Sequence, residues 1–277
     1  MHPTVNHLIQ LQELDLIRDE QKVAGSDEHL QGLDRSVRAM AKKLPKDIRN
    51  EYEKLNKRDH VVIVPVSNNV CAGCGLQLTV SLVQQVRMAK SIQTCPNCAR
   101  MLYCSETAPR RIGKAPRRSA PRKVGIARFS AEGLMLPELK ATDRDAAIAE
   151  LGQCMAGAGF VDNVDNLVEL ALQRESVVST AVGHGLAFPH VRGVEGGGLA
   201  LALGLSHEGI CFNGDGKPVH IIFFMAIPTA ASAFYLKLLA GLTETFMKSD
   251  ARKALLDASD AASLWKALTK VTRTRIK

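Results

Sequence analysis

Residues 174–192 read RESVVSTAVGHGLAFPHVR, and the reading of this stretch decides what kind of protein the chain is. Gly183 and Gly185 bracket His184 in a Gly-x-Gly turn, and Pro189 stiffens the backbone immediately before His190. Upstream lie a Ser179-Thr180 pair and an Arg174-Glu175 doublet, which supply hydrogen-bond donors and a cation. A neutral imidazole is a good nucleophile near pH 7. A Pro-His dipeptide or a lone Gly-x-Gly is a weak signal, since a histidine out of context is more often structural or exposed. The surrounding pattern carries the decision.

That pattern is α/β from about Phe129 onward. Thr142 with Asp145 three residues later is a capping-box-like start for a helix bearing Ile148, Leu151 and Met155, stopped near Gly157 and Gly159. A second helix is expected from Asn163 to Arg174. Apolar runs at Leu199–Leu205 and Val219–Ile227 read as buried strands. After Pro228, a helical face is formed by Tyr235, Leu238, Leu239, Leu242 and Phe246, and a last helix starts at Asp260 and runs through Trp265 and Leu268.

In this order, across about Leu139 to Val271, the motifs resemble the type-2 EIIA domains of the bacterial phosphoenolpyruvate-dependent sugar phosphotransferase system, the fructose, mannitol and nitrogen-regulatory class. The resemblance implies an α+β domain with one mixed sheet flanked by helices. It implies that His190 receives a phosphoryl group from the phosphocarrier HPr and passes it to an EIIB or a regulatory protein, with no organic cofactor. Arg174 matches the arginine that the family places near its histidine; Ser179, Thr180 and local backbone N–H groups are the other candidates for the phosphoryl oxygens. A surface pairing of Arg174 with Glu175 or Asp162 is the competing role. His184 is a loop histidine beside the pocket, while His207 and His220 flank strands as structural or exposed residues. One departure matters: where the family commonly has a second histidine in a His-Leu pair, this chain has Tyr235-Leu236. Tyrosine donates a hydrogen bond but is no base near neutral pH, and a core role competes with a site role there.

The N-terminal half carries different chemistry. Of seven cysteines, Cys71, Cys74, Cys95 and Cys98 form C-x2-C-x20-C-x2-C, the spacing of a tetrahedral four-thiolate zinc site. Such a site is closed, so Zn2+ there is structural; an iron–sulfur or redox dithiol site is the alternative. Cys104 is a packing thiol. Ahead of the cysteines, an amphipathic helix over residues 4–23 presents Val5, Leu8, Ile9, Leu11, Leu14 and Ile17, and Ala24-Gly25-Ser26 interrupts it. A second helical face, Leu30, Leu33, Val37, Met40 and Leu44, ends at Pro45, which opens a third helix over 46–57, and Val61–Val66 reads as a strand. Helices this short draw stability from packing, with each other as a hairpin or across a homodimer. The stretch Leu44–Tyr103 resembles the bacterial four-cysteine zinc ribbon that follows a helical coiled coil, with a shorter arm.

Between the halves, PRRIGKAPRRSAPRK (109–123) holds seven Lys or Arg, three Pro and no acid, an extended self-repelling linker. It accounts for seven of the eight net positive charges of the 277 residues. The division expected is a helical segment at 1–60, a zinc ribbon at 61–104, a basic linker at 105–128 and the EIIA-like domain at 129–277. Composition, 46% hydrophobic and 23% charged, excludes wholesale disorder, and 4% aromatic leaves little for base-stacking platforms. The N-terminus has no signal-peptide pattern, and the most apolar window, Ile221–Leu236, is too short to span a membrane and contains Pro228, so a cytoplasmic location without membrane insertion is expected. The linker reads as a spacer, with phosphate binding as the competing role. Accordingly a second functional reading stands beside the first: a non-enzymatic scaffold whose zinc ribbon binds nucleic acid or a transcription protein, with the EIIA-like domain as sensor.

Overall fold

The computed structural model describes residues 3–24, 30–67, 69–104, 124–194, 199–212, 217–228 and 231–276; the basic stretch 109–123 and the Gly25-Ser26 interruption lie outside them. Two compact units form, one from residues 1–108 with 229–236 and the other from 109–228 with 237–277.

In the first unit, α1 (Pro3–Ala24) packs on α2 (Leu30–Lys42), so the helices pair within one chain as a hairpin. Their apolar faces meet α3 (Lys46–Asp59) and the start of β1 (Ile63–Ser67) in a core of Val5, Leu8, Leu11, Val37, Leu44, Tyr52, Leu55, Val62 and Ile63. Gln12 ties helix to strand: its Oε1 accepts from the Val62 and Ile63 N–H groups at 2.6 and 2.8 Å, and its Nε2 donates to Ile63 O at 3.0 Å. The amide thus completes the strand edge that would otherwise leave backbone groups unpaired. Pro45 sits at the N-cap of α3 rather than inside it, and His60 closes that helix in a left-handed conformation (φ 56°). A four-stranded sheet follows in the order β2 (Val70–Cys71), β1, β4 (Met101–Cys104), β3 (Gln93–Thr94), with β1 and β4 parallel. The short helix α4 (Val80–Met88), which hydropathy does not announce, is capped by Thr79, whose hydroxyl accepts from Leu82 N at 3.3 Å.

The second unit is built on a mixed six-stranded sheet. β5 (Met135–Leu136), β9 (Ala200–Cys211), β10 (Pro218–Pro228), β7 (Leu186–Ala187) and β6 (Ala181–Val182) lie side by side, and β8 (His190–Val194) shares the β10 edge with β7. β9 and β10 are antiparallel, while β7 and β8 both run parallel to β10. Residues 221–228 are buried without alternation, the signature of a strand covered on both faces. β9 runs to Cys211, six residues beyond the apolar run, because β10 pairs with it as far as Pro218 while exposed His207 and Glu208 break the hydropathy pattern.

α5 (Arg144–Gly157) lies against β9, α6 (Val164–Val177) against β8, and α9 (Ala261–Thr272) against β5. The cap of α5 is Asp143, not Thr142: the Asp143 carboxylate accepts from Ala146 N at 2.9 Å. Gly152 lets α5 and α6 approach, since a Cβ there would lie 2.9 Å from Val168 Cγ2. α7 (Ser232–Phe246) carries the expected apolar face, with Tyr235, Leu238, Leu239, Leu242 and Phe246 all buried. α8 (Ser249–Leu256) has no side-chain cap and too few residues to show a period. The cap of α9 is where the sequence puts it: Asp260 accepts from Ser263 N at 2.8 Å and Ser263 Oγ reaches back to Asp260, a reciprocal capping box.

Candidate functional site

The site begins at the C-terminal end of α6. This helix runs three residues past Arg174, and Arg174 Nη1 donates to Val178 O at 2.8 Å, satisfying a carbonyl at the helix end. Arg174 is 8% exposed, so the residue is held close to the protein rather than in water. Glu175 is 3% exposed. Its Oε1 accepts from Ser179 Oγ at 2.9 Å and from Thr180 N at 2.8 Å, while Ser179 Oγ accepts from Ala181 N at 3.2 Å. These bonds turn the chain from helix into the hairpin β6–β7.

The hairpin turns at residues 183–185, where His184 (φ 70°) and Gly185 (φ 74°) both adopt left-handed backbone. Glycine is needed at 185: a Cβ there would meet His220 Cδ2 at 3.2 Å on top of the conformational cost. The Gly185 carbonyl accepts from His220 N at 2.8 Å and Ile221 N at 3.1 Å, anchoring the turn to β10. His184 is exposed at the tip and stands outside the hydrogen-bonded chain that reaches His190.

β7 and β8 are interrupted at Phe188-Pro189. Proline has no N–H to give to a ladder, yet its carbonyl accepts from Met225 N at 3.0 Å and so keeps the register in which His190 pairs with Met225. Phe188 is fixed at both ends. Its N–H donates to Thr180 O at 3.1 Å, and its ring stacks on Phe223 with centroids 5.4 Å apart. The Phe188 carbonyl oxygen then lies 3.0 Å from His190 Nδ1. A carbonyl only accepts, so Nδ1 carries the proton and the imidazole lone pair falls to Nε2. His190 itself is 2% exposed. A hydrogen-bonded chain thus runs from Glu175, shared by Ser179 and Thr180, through Phe188 to His190, while Arg174 is anchored to the carbonyl of Val178, one residue before Ser179. Tyr235 lies on α7, 1% exposed, and His220 is held by its own bond, Nδ1 donating to Ser206 O at 2.9 Å.

Three groups in or beside this chain of bonds carry no sequence signal for a place there. Glu175 stands in the quoted doublet, where the sequence offers it only as a competing partner for Arg174. The Phe188 carbonyl is a main-chain group with no sequence signal. Arg192, two residues beyond His190 on β8 and half-buried, lies on the same strand face by the alternation of side chains.

The cysteine cluster in the first unit is equally well defined. The four Sγ atoms of Cys71, Cys74, Cys95 and Cys98 lie within 4.8 Å of one another, with Cys71–Cys98 at 3.8 Å and Cys74–Cys95 at 3.7 Å. A tetrahedron around an ion with about 2.3 Å metal–sulfur bonds has edges of about 3.8 Å, so the thiols fit a zinc ion. Both pairs sit on tight turns: Gly75 N donates to Cys71 O at 2.8 Å and Ala99 N to Cys95 O at 2.9 Å. Arg58 donates to Cys98 O at 2.8 Å and Arg100 to Gly73 O at 3.3 Å, placing cations beside a cluster that becomes anionic as thiolates form. Cys104 packs against this core and is not part of the cluster.

A mixed sheet with a buried histidine at the head of β8, the second of two short strands on one edge of β10, defines an α/β domain. Residues 129–271, about half of the chain, match the family model of the phosphoenolpyruvate-dependent sugar phosphotransferase system, EIIA 2, and the chain belongs to that family. Residues 70–102 match the C4-type zinc ribbon domain. The chain is 32% identical over 141 residues to the fructose-specific EIIA component of the phosphotransferase system of Haloferax volcanii, covering 50% of this chain and 91% of the relative. It is 31% identical over 139 residues to a nitrogen regulatory protein of Bradyrhizobium diazoefficiens, covering 48% and 88%. Among solved structures, the nitrogen regulatory protein IIA-Ntr from Neisseria meningitidis aligns with a TM-score of 0.46 at 24% identity, over 51% of this chain and 97% of that one. Among the described residues, no helix is long and apolar enough to cross a membrane.

Proposed function

We propose that this chain is a phosphoryl acceptor of the phosphotransferase system, taking the group from phospho-HPr on Nε2 of His190 and handing it to an EIIB or to a regulatory target. The observation that carries this reading is the 3.0 Å approach of the Phe188 carbonyl to His190 Nδ1, which leaves the lone pair on Nε2. In the transfer step that lone pair forms the new P–N bond, the P–N bond of the donor breaks, and its electron pair returns to the donor imidazole. Nδ1 keeps its proton throughout, and the Phe188 carbonyl steadies the charge that the ring develops.

Arg174 supplies the cation for the phosphoryl oxygens, and Ser179, Thr180 and the backbone N–H groups of the turn supply donors, because phosphoryl transfer is mostly positioning and charge stabilisation. His184, exposed at the tip of the β6–β7 hairpin, stands on the approach. At 2% exposure His190 must be uncovered for a protein donor to reach it. Structural Zn2+ on Cys71, Cys74, Cys95 and Cys98 holds the ribbon at 61–104, which with the helices at 1–60 and the linker at 105–128 forms a module attached to the acceptor domain at 129–277. The setting is the cytoplasm, where the donor is made.

The test supplies phosphoenolpyruvate, the first enzyme of the system and HPr to the full chain. Wild type should take up an acid-labile, base-stable phosphate, and His190→Gln should take up none. Equal labelling of the two proteins would remove His190 from the reaction.

A further inference from the structure

Glu175 is costly where it stands. It lies in the last turn of α6, where the helix dipole disfavours an anion, and it is 3% exposed. Those penalties are offset by the two hydrogen bonds that converge on Oε1, from Ser179 Oγ and Thr180 N. From Thr180 the connection continues without a gap: Thr180 O accepts from Phe188 N at 3.1 Å, and Phe188 O faces His190 Nδ1 at 3.0 Å. Thr180 is therefore held by Glu175 at its N–H and holds Phe188 through its carbonyl. Phe188 is the residue whose carbonyl selects the histidine tautomer.

We infer that Glu175 is a positioning residue for His190: by fixing Thr180, it sets the Phe188 carbonyl against Nδ1 and so presets the tautomer whose Nε2 is nucleophilic. The carboxylate acts through the Thr180 N–H that it holds, the Thr180–Phe188 hydrogen bond and the Phe188 carbonyl, and its effect is on the ring before any donor arrives. The inference rests on the phosphoacceptor reading only for its consequence in rate; the tautomer itself is a property of the resting protein.

The experiment reads the His190 ring nitrogens by 1H–15N multiple-bond correlation in the full chain, without donor, at a pH where the ring is neutral. Wild type should show a protonated Nδ1. Glu175→Gln, which retains an acceptor oxygen at the same reach, should show the same. Glu175→Asp keeps the charge but withdraws the oxygen by one methylene, and Glu175→Ala removes it; both should shift the ring toward a mixture containing Nε2–H. In the transfer assay these two variants should lose on the order of 10- to 100-fold in kcat with KM for phospho-HPr little changed, as expected for misplaced rather than missing groups. Wild type with Nε2–H, or Asp and Ala variants that retain Nδ1–H, would overturn the inference. Should Glu175→Ala fail to fold, the aspartate variant and the wild-type tautomer decide it. Should wild type accept no phosphoryl group, the phosphoacceptor reading fails while the nitrogen spectra still decide the role of Glu175.

Discussion

At the scale of single residues, chemistry here is set by which polar atoms a side chain is forced to face. His190 faces a carbonyl, a group that can only accept, at Nδ1. In the first unit, Asp15 shows the same principle with a charge. It is 2% exposed; its Oδ2 accepts from Tyr52 Oη at 2.7 Å and Asn56 Nδ2 at 3.2 Å, and its Oδ1 meets Arg18 Nη1 at 2.8 Å. Burial pushes the Asp15 carboxyl above its ordinary value, outweighing the Tyr52 hydrogen bond and the Arg18 charge, with Asp19 adding to the rise and His60 opposing it. The folded state therefore holds this proton more tightly than the unfolded one. The stability this group contributes is fully present below the ordinary carboxylate value of 3.8 and is lost as pH rises through the raised one. Urea midpoints measured across that window should decline with pH in wild type by more than in Asp15→Asn; parallel profiles would show that Asp15 does not titrate there.

At the scale of elements, the helices were the most legible part of the chain, because a 3.6-residue period survives in sequence and caps mark the ends. Asp260 and the apolar face after Pro228 are cases in point. α4 and α8 were not legible: nine and eight residues give too little period to see. β7 and β8 escaped notice for another reason. They are short, they are separated by Pro189, and they become strands through pairing that is remote in sequence for both, since β10 offers the two of them one edge. α6 matters most for the site, since its last turn places Arg174 and Glu175. It is capped by Asn163, whose Oδ1 accepts from Asn166 N at 3.0 Å. Asn163→Ala should cost about 1 kcal/mol in chemical denaturation, and it should leave the His190 tautomer unchanged, because the helix end that holds the site lies more than three turns away.

At the scale of the whole molecule, two units with separate cores carry two kinds of chemistry. The ribbon core contains Cys71 and Cys95 among its buried residues, so the thiols that fit a metal also pack the interior. Metal binding to such a site contributes on the order of 10–16 kcal/mol to folding. Purified chain should carry a single zinc on its four clustered thiols, and a strong chelator should unfold the ribbon as followed by amide exchange at β1 and β4. Undiminished protection after complete zinc removal would show that the apolar core alone suffices. Residues 109–123 account for seven of the eight net positive charges. By itself the sequence determined the α/β class, the four cysteines that cluster and the segment that carries the histidine, because periodicity, spacing and a short motif are local properties. Only the tertiary structure decided how that histidine is poised. The chain from Glu175 through Thr180 and Phe188 to His190 joins α6 to β6, β7 and β8, and three of its links end on backbone groups, which every residue has and no sequence can distinguish.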